Sequence, residues 1–259
     1  MSVGHSNSST PDEATSIARS LGPHRDITLL LLPSGDSAVL LEAQGGSDDD
    51  RWAVIYDLRK RLLTHRPAGF LDLVSTFEHL LISYDCAVTD GFFIRNDVIA
   101  ALNRSGVESL QSGRRTFDIP TVFGGTFGPD LVDVSEQLGM SAADVVEQLL
   151  RQEFVVRFLG AGMEPMCSGA VSDVPITRRH VPRVSVPAGS VALAAHNMAI
   201  YPFGSPGGWQ LVGRTPLQLC DIAEQPAVTY QAGDRFRLRS IQPGEWIDFE
   251  DMRLGETND

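Results

Sequence analysis

Residues 182–216 hold the densest group of chemically useful side chains in this sequence. Arg183 and Arg214 can each grip a carboxylate through two parallel hydrogen bonds, because a planar guanidinium matches the spacing of two carboxylate oxygens. Gly207 and Gly208 lack a Cβ and so let backbone N–H groups come close to a ligand. Tyr201, Ser205 and Thr215 add hydroxyls, and His196 and Asn197 lie just upstream of them. Such a set suits the holding of a small anion, or of an oxyanion that develops during reaction. No Asp or Glu occurs between 182 and 216, so the stretch is locally basic. Gly and Pro also mark turns, and composition alone favours β-barrel turns with Trp209 in the barrel core.

Other catalytic machinery lacks its second half. Cys167 follows Met166 in a Gly-rich stretch, but no neighbouring base is supplied by sequence, and it reads as a plain buried thiol. His180 and His196 belong to no His-x-His or His-x-x-x-His pair, so no metal site is expected. There is no Gly-x-Ser-x-Gly elbow and no Gly-x-x-x-x-Gly-Lys phosphate loop. Cys86, Cys167 and Cys220 are too widely spaced for a disulfide framework or a zinc site.

Charge narrows the partners. The 259 residues include 33 acids against 21 Lys and Arg, a formal net charge of −12. Nucleic acid and anionic lipid both need clustered basic residues, so neither is an expected partner. The longest apolar run, 27–32, is far too short to span a bilayer. A cytoplasmic, reduced location follows as an expectation.

The elements that must position these residues can be read from periodicity. The first 24 residues, rich in Ser, Thr and Pro, predict an unstructured tail rather than a signal peptide. Residues 26–32 and 37–42 predict a β-hairpin. Trp52, Val54, Ile55, Leu58 and Leu62 repeat at helical spacing behind the acidic 48–50 run. Residues 69–74 and 79–84 predict two more strands, and 94–102 a helix. This ββαββα order suits a small sheet with helices on one face. A linker is expected at 105–115. Beyond it come a strand at 117–123, helices at 130–137 and 141–152, and Ser141 as N-cap with Asp144 closing the capping box. Short β-rich runs at 154–159, 190–195, 209–212 and 235–238, broken by Gly and Pro, predict a closed or nearly closed β structure.

Three segments carry a family resemblance: Phe123-Gly-Gly-Thr-Phe-Gly-Pro-Asp-Leu131, Val186-Pro-Ala-Gly-Ser-Val191 and the run from Tyr201 to Pro216. They resemble the Kip inhibitor family, also known as allophanate hydrolase subunit 1 or as the B subunit of 5-oxoprolinase. That family is related to the carboxyltransferase region of urea carboxylase. Gly35-Asp-Ser-Ala38 and residues 77–85 are similar to its N-terminal half, and the likeness covers about residues 26–240. It implies an α+β chain: a small N-terminal α/β domain (25–105), then a cyclophilin-like β-barrel (116–245), between a tail at 1–24 and an acidic tail at 246–259.

The resemblance also implies a partner subunit of related barrel fold, of the allophanate hydrolase subunit 2 type, and a pocket shared with it. In the oxoprolinase assembly, the pair and a third protein open a lactam at the expense of ATP. The urea carboxylase region helps carry a carboxyl group from biotin to urea. The founding member is described as an inhibitor of a sporulation histidine kinase. This chain departs from the pattern at 161–169 and 195–199, and at Ser185, where an arginine is common. It carries neither a biotin-attachment Met-Lys-Met nor amidase Ser-Ser-Lys machinery. The expected role is a subunit of a heteromeric enzyme acting on an amide, lactam or urea-like substrate, supplying part of an anion-binding pocket. No cofactor is expected on this chain alone, with ATP entering at the level of the complex. The alternatives are a regulatory binding protein such as a histidine-kinase inhibitor, or the same scaffold serving a specialised biosynthetic substrate.

Overall fold

Period-two alternation builds the N-terminal sheet. Ile27, Leu29, Leu31, Val39, Leu41, Leu80 and Ile82 are each at most 1% exposed, and they share one face because successive strand residues point to opposite sides. The computed structural model describes residues 15–21, 24–103, 114–250 and 252–255. It divides the chain into two units, Met1–Ser112 and Gly113–Asp259.

In the first unit the elements run β1 (Thr15–Leu21), β2 (His24–Pro33), β3 (Ala38–Gln44), α1 (Asp48–Thr64), β4 (Phe70–Ser75), β5 (His79–Tyr84) and α2 (Gly91–Asn103). The five strands pair antiparallel in the order β1-β2-β3-β5-β4. Val54, Ile55, Leu58 and Leu62 of α1 and Ile94, Val98 and Ala101 of α2 join the buried face of the sheet in one core. Helix α1 begins at a capping box: Asp50 N donates to Ser47 Oγ (3.2 Å) and Ser47 N to Asp50 Oδ2 (3.1 Å). Asp90 Oδ1 accepts from Phe92 N and Phe93 N at the start of α2.

Strand β1 corrects the expected 1–24 tail. Residues 15–21 pair with β2 from Thr15 opposite Leu31 to Leu21 opposite His24. Backbone pairing to an adjacent strand needs no apolar alternation, so this polar segment gave no periodic signal. Residues 1–14 and most of the expected linker, 104–113, lie outside the described residues.

The second unit contains β6 (Thr116–Phe123), α3 (Leu131–Leu138), α4 (Ala142–Arg151), β7 (Glu153–Leu159), β8 (Pro165–Ser168), β9 (Arg183–Val186), β10 (Ser190–Ala194), β11 (Asn197–Ile200), β12 (Ser205–Gly207), β13 (Gln210–Arg214) and β14 (Arg235–Ser240). Seven of these strands close a barrel in the order β10-β11-β8-β7-β14-β6-β13, while β9 and β12 form a separate ribbon. Strands β6 and β14 run parallel. Phe154, Phe236, Ile119, Val156, Val191 and Met198 fill the core. The predicted capping box opens α4, with Asp144 N donating to Ser141 Oγ at 3.1 Å.

Two expectations for this unit change. Trp209 is only half-buried, against a small cluster of Val186, Ala192, Tyr201 and Leu211, outside the main barrel core. Within the expected 246–259 tail, the described residues 246–250 and 252–255 are anchored: Leu254 is 0% exposed, Phe249 and Met252 pack on the core, and Thr229 Oγ1 donates to Leu254 O at 2.7 Å. Its acidic composition hid three well-spaced apolar anchors. Leu254→Ala should therefore destabilise the protein by about 2–5 kcal/mol in a denaturant melt, whereas a solvated tail residue would change stability by less than about 0.5 kcal/mol.

Candidate functional site

Two segments far apart in sequence meet at β13 and the residue that follows it. The loop 124–130 between β6 and α3 lies directly on that strand. Gly124 N donates to Val212 O (3.1 Å), Asp130 N to Leu211 O (2.9 Å) and Leu211 N to Asp130 Oδ2 (2.7 Å). The approach is so close at Gly128 that a Cβ there would stand 2.0 Å from the Val212 carbonyl oxygen. From the other side comes the turn 187–189. Its Gly189 has φ +80°, and a Cβ on it would stand 2.2 Å from Thr215 O. Gly189 N donates to Tyr201 O (2.7 Å), and the Gly189 carbonyl accepts Thr215 N (2.9 Å).

This turn fixes Arg214. Nε of Arg214 donates to Ala188 O at 2.7 Å, and the guanidinium carbon lies 5.2 Å from the centre of the Trp246 ring, a cation–π contact. With one edge and one face engaged, the terminal Nη1 and Nη2 keep an end-on fork with no hydrogen-bond partner among the described residues. A cleft of about 490 Å³ opens beside it, and its walls include Phe127, Trp246, Ile247 and Glu250. The Phe127 and Trp246 rings are 5.2 Å apart, and Trp246 Nε1 donates to Glu250 Oε1 at 3.2 Å.

A second polar centre lies behind the 124–130 loop. Asp130, 2% exposed, accepts Arg183 Nη2 (2.7 Å) and Arg179 Nη1 (2.9 Å) on Oδ1, with Leu211 N on Oδ2. A buried carboxylate needs such partners, since its desolvation is otherwise prohibitive. Asp130 occupies the N-cap position of α3, yet its side chain makes no capping bond and serves the arginines and β13 instead.

The candidate residues therefore separate into groups. Arg214 and Thr215 sit at the Ala188 turn, and Thr215, 2% exposed, uses its hydroxyl to accept Leu217 N. Arg183 is committed to Asp130, which corrects its reading as a free carboxylate grip. Ser205 and Gly207 pair with β9 in the ribbon, and the Gly208 carbonyl accepts Arg179 N. Tyr201 packs its hydroxyl against Gly207. Burial first, then the nearby Glu164, pushes this hydroxyl above its usual titration range, so it stays neutral at physiological pH. His196, exposed, and Asn197 lie at the far end of the β10–β11 hairpin, with Arg214 opposite Ser190 at the near end. Four residue steps along a strand separate the two ends by about 13 Å.

The locally basic character of 182–216 is also corrected: Asp130, distant in sequence, accepts from Arg183, and Glu250 lines the same cleft as Arg214. Sequence reasoning missed Asp130, Arg179, Phe127, Trp246 and Glu250. Asp130 and Phe127 stood inside a motif of the family resemblance, but Trp246 and Glu250 carried no signal beyond an isolated indole in an acidic stretch. Cys167 is 0% exposed, and burial pushes its thiol far above the usual range, so it is no nucleophile. Among the described residues no group of three or more His, Cys, Asp or Glu is placed to hold a metal ion, and no helix is long and apolar enough to cross a membrane.

Residues 29–230 match the family described as carboxyltransferase domain, subdomain C and D. The chain belongs to this carboxyltransferase-domain family. It is 31% identical to the B subunit of 5-oxoprolinase from Bacillus subtilis (strain 168) over 223 residues, covering 82% of this chain and 92% of that one. It is 40% identical to the B subunit of 5-oxoprolinase from Escherichia coli O157:H7 over 146 residues, 55% of this chain and 66% of that one. The crystal structure of TTHA0988 superposes with a TM-score of 0.66 at 27% identity, over 80% of this chain but 40% of that one. The K. lactis urea amidolyase shares the fold at a TM-score of 0.72 and 18% identity, over 91% of this chain and 17% of that one. This family member thus spans less than half the length of either of those two solved chains.

Replacing Asp130 by Asn should leave Arg179 and Arg183 without their counter-charge. The loss should be about 3 kcal/mol, near the lower end for a broken buried pair because both arginines are partly exposed. A denaturant melt measures it, and a change within about 0.5 kcal/mol, the range of an ordinary surface substitution, would show that the cluster does not hold the region together. Thiol titration of the native protein should find Cys86 reactive, and Cys167 and Cys220 protected until unfolding.

Proposed function

We propose that this chain is one subunit of a heteromeric enzyme acting on an amide, lactam or urea-like substrate, and that it contributes the Arg214 cleft as the anion-holding part of a pocket. The observation that carries this reading is the Arg214 fork, held by Ala188 O and Trp246 and otherwise unpartnered among the described residues. Attack on an amide carbonyl puts negative charge on oxygen. Donors fixed in advance stabilise that charge without having to reorganise. The relatives named as 5-oxoprolinase B subunits support the subunit role, since a lettered subunit implies others.

Each described cysteine is either buried or alone on the surface, and the sequence holds no recognisable pairing of a nucleophile with an adjacent base. The reacting groups then come from a partner, of related barrel fold, with ATP used at the level of the complex in the cytoplasm. The same lack of a self-contained nucleophile also suits a regulatory binding module. Co-purification separates the two: a barrel-type partner supports the enzyme subunit, and a histidine kinase supports the regulator.

In the assembled complex, assayed first on 5-oxoproline with ATP, Arg214→Ala should lower turnover roughly a hundredfold, on the order of 3 kcal/mol in the barrier. Its melting temperature should change little, because the side chain's hydrogen bond to Ala188 O and its contact with the partly exposed Trp246 both lie at the surface. Undiminished turnover would remove Arg214 from the mechanism.

A further inference from the structure

We infer that a second anion site lies at the β9–β12 ribbon, and that it takes a phosphate group between the Tyr201 hydroxyl and the Arg178 guanidinium. None of the residues that build it lines the Arg214 cleft. The choice of phosphate rests on the reading that ATP is used at the level of the complex, whereas the site itself stands on geometry. Tyr201, 8% exposed, packs among Val186, Ala192, Leu211 and Trp209. Its hydroxyl makes no hydrogen bond among the described residues. A buried hydroxyl left without a partner lowers stability, so its presence calls for a use.

Short contacts bring the two donors to one place. A Cβ on Gly207 would stand 2.3 Å from the Tyr201 hydroxyl oxygen, so any side chain there would fill the space beside it. Arg179 N donates to the Gly208 carbonyl at 2.8 Å, which lays residues 178–179 alongside 207–209. The Arg178 guanidinium carbon lies 5.5 Å from the centre of the Trp209 ring, a cation–π contact. Its nitrogens make no hydrogen bond or ion pair among the described residues, and Arg178 is exposed, so the site is open on that side. Arg183 stands opposite Gly207 in the ribbon. Asp130 holds its Nη2, while its Nη1 is buried without a partner. Glu164 also faces the Tyr201 hydroxyl, with Oε2 accepting Gly162 N of its own hairpin at 2.9 Å. Arg178, Arg179 and Arg183 outnumber Asp130 and Glu164, so positive charge is in excess. Burial keeps the Tyr201 hydroxyl protonated and therefore a donor. A phosphate presents several strong acceptor oxygens and more than one negative charge, so it can take the hydroxyl and the guanidinium together.

The test is calorimetric titration of the full chain with inorganic phosphate and with ATP. Tyr201→Phe and Arg178→Ala should each weaken phosphate binding roughly ten- to a hundredfold, the range for losing a hydrogen bond to a charged group. Tyr201→Phe should melt no lower than the parent, since the hydroxyl it removes holds nothing in the free protein. Arg214→Ala should leave this binding as it is. Tighter binding of ATP than of phosphate gives the site to a nucleotide, and the reverse gives it to the free anion; both support the site. No binding of either probe, or binding that Tyr201→Phe leaves intact, would overturn it. Loss of binding in Arg214→Ala would put the anion in the cleft and overturn it as well. Turnover of the Arg214→Ala complex judges the functional reading separately and leaves this result untouched.

Discussion

The buried carboxylate of Asp130 is the interaction on which the rest of the barrel unit's binding region depends. It lies at the junction of the 124–130 loop, α3, β13 and the segment that carries Arg179 and Arg183. In water each of those charges would be solvated separately. Inside the protein the carboxylate is tolerable only because two guanidinium groups and one backbone N–H converge on it. The convergence closes loops of 49, 53 and 81 residues on one side chain, and it fixes where the loop bearing Phe127 must lie.

On that foundation the three motifs divide their labour. The Gly-Gly-Thr-Phe-Gly-Pro-Asp loop supplies Phe127 and is held to β13 by Asp130 and by the close approach at Gly128. The Val-Pro-Ala-Gly-Ser turn supplies the carbonyl that orients Arg214. The run from Tyr201 to Pro216 supplies the ribbon strand β12, the barrel strand β13 and Arg214 itself. Most residues in these motifs hold other backbone in place, and few face the cleft. That is why a stretch so rich in donors yields one free guanidinium fork: Arg183 and Thr215 spend their hydrogen bonds inside the fold.

The periodic elements were legible in the sequence because their signal is local. The two apolar runs at 26–32 and 37–42, the helical spacing behind residues 48–50 and the Ser141 capping box all arise from neighbours within a few residues, and each falls on the element expected. The strands of three or four residues, β8, β9, β11 and β12, were not, since so short a run cannot display a period and each is specified by the strand beside it. Strand β1 escaped because a polar segment paired through its backbone shows no period either. The anchoring of Leu254 and Phe249 escaped because acidic neighbours outnumber them, although burial of a few large apolar side chains outweighs a polar average.

The sequence by itself determined the order of the longer periodic elements, the closed β architecture of the second half, the burial of Cys167 and the family to which the chain belongs. Tertiary structure alone decided which charges are free. Charge counted along the chain made 182–216 basic. In the folded chain Asp130 lies on Arg183 and Glu250 lines the cleft that holds Arg214, and electrostatic interaction depends on distance through the fold and not on separation along the backbone. For the same reason His196 and Asn197, a few residues from the binding motif in sequence, lie a strand's length from Arg214, while Trp246, far beyond that motif in the chain, lies against it.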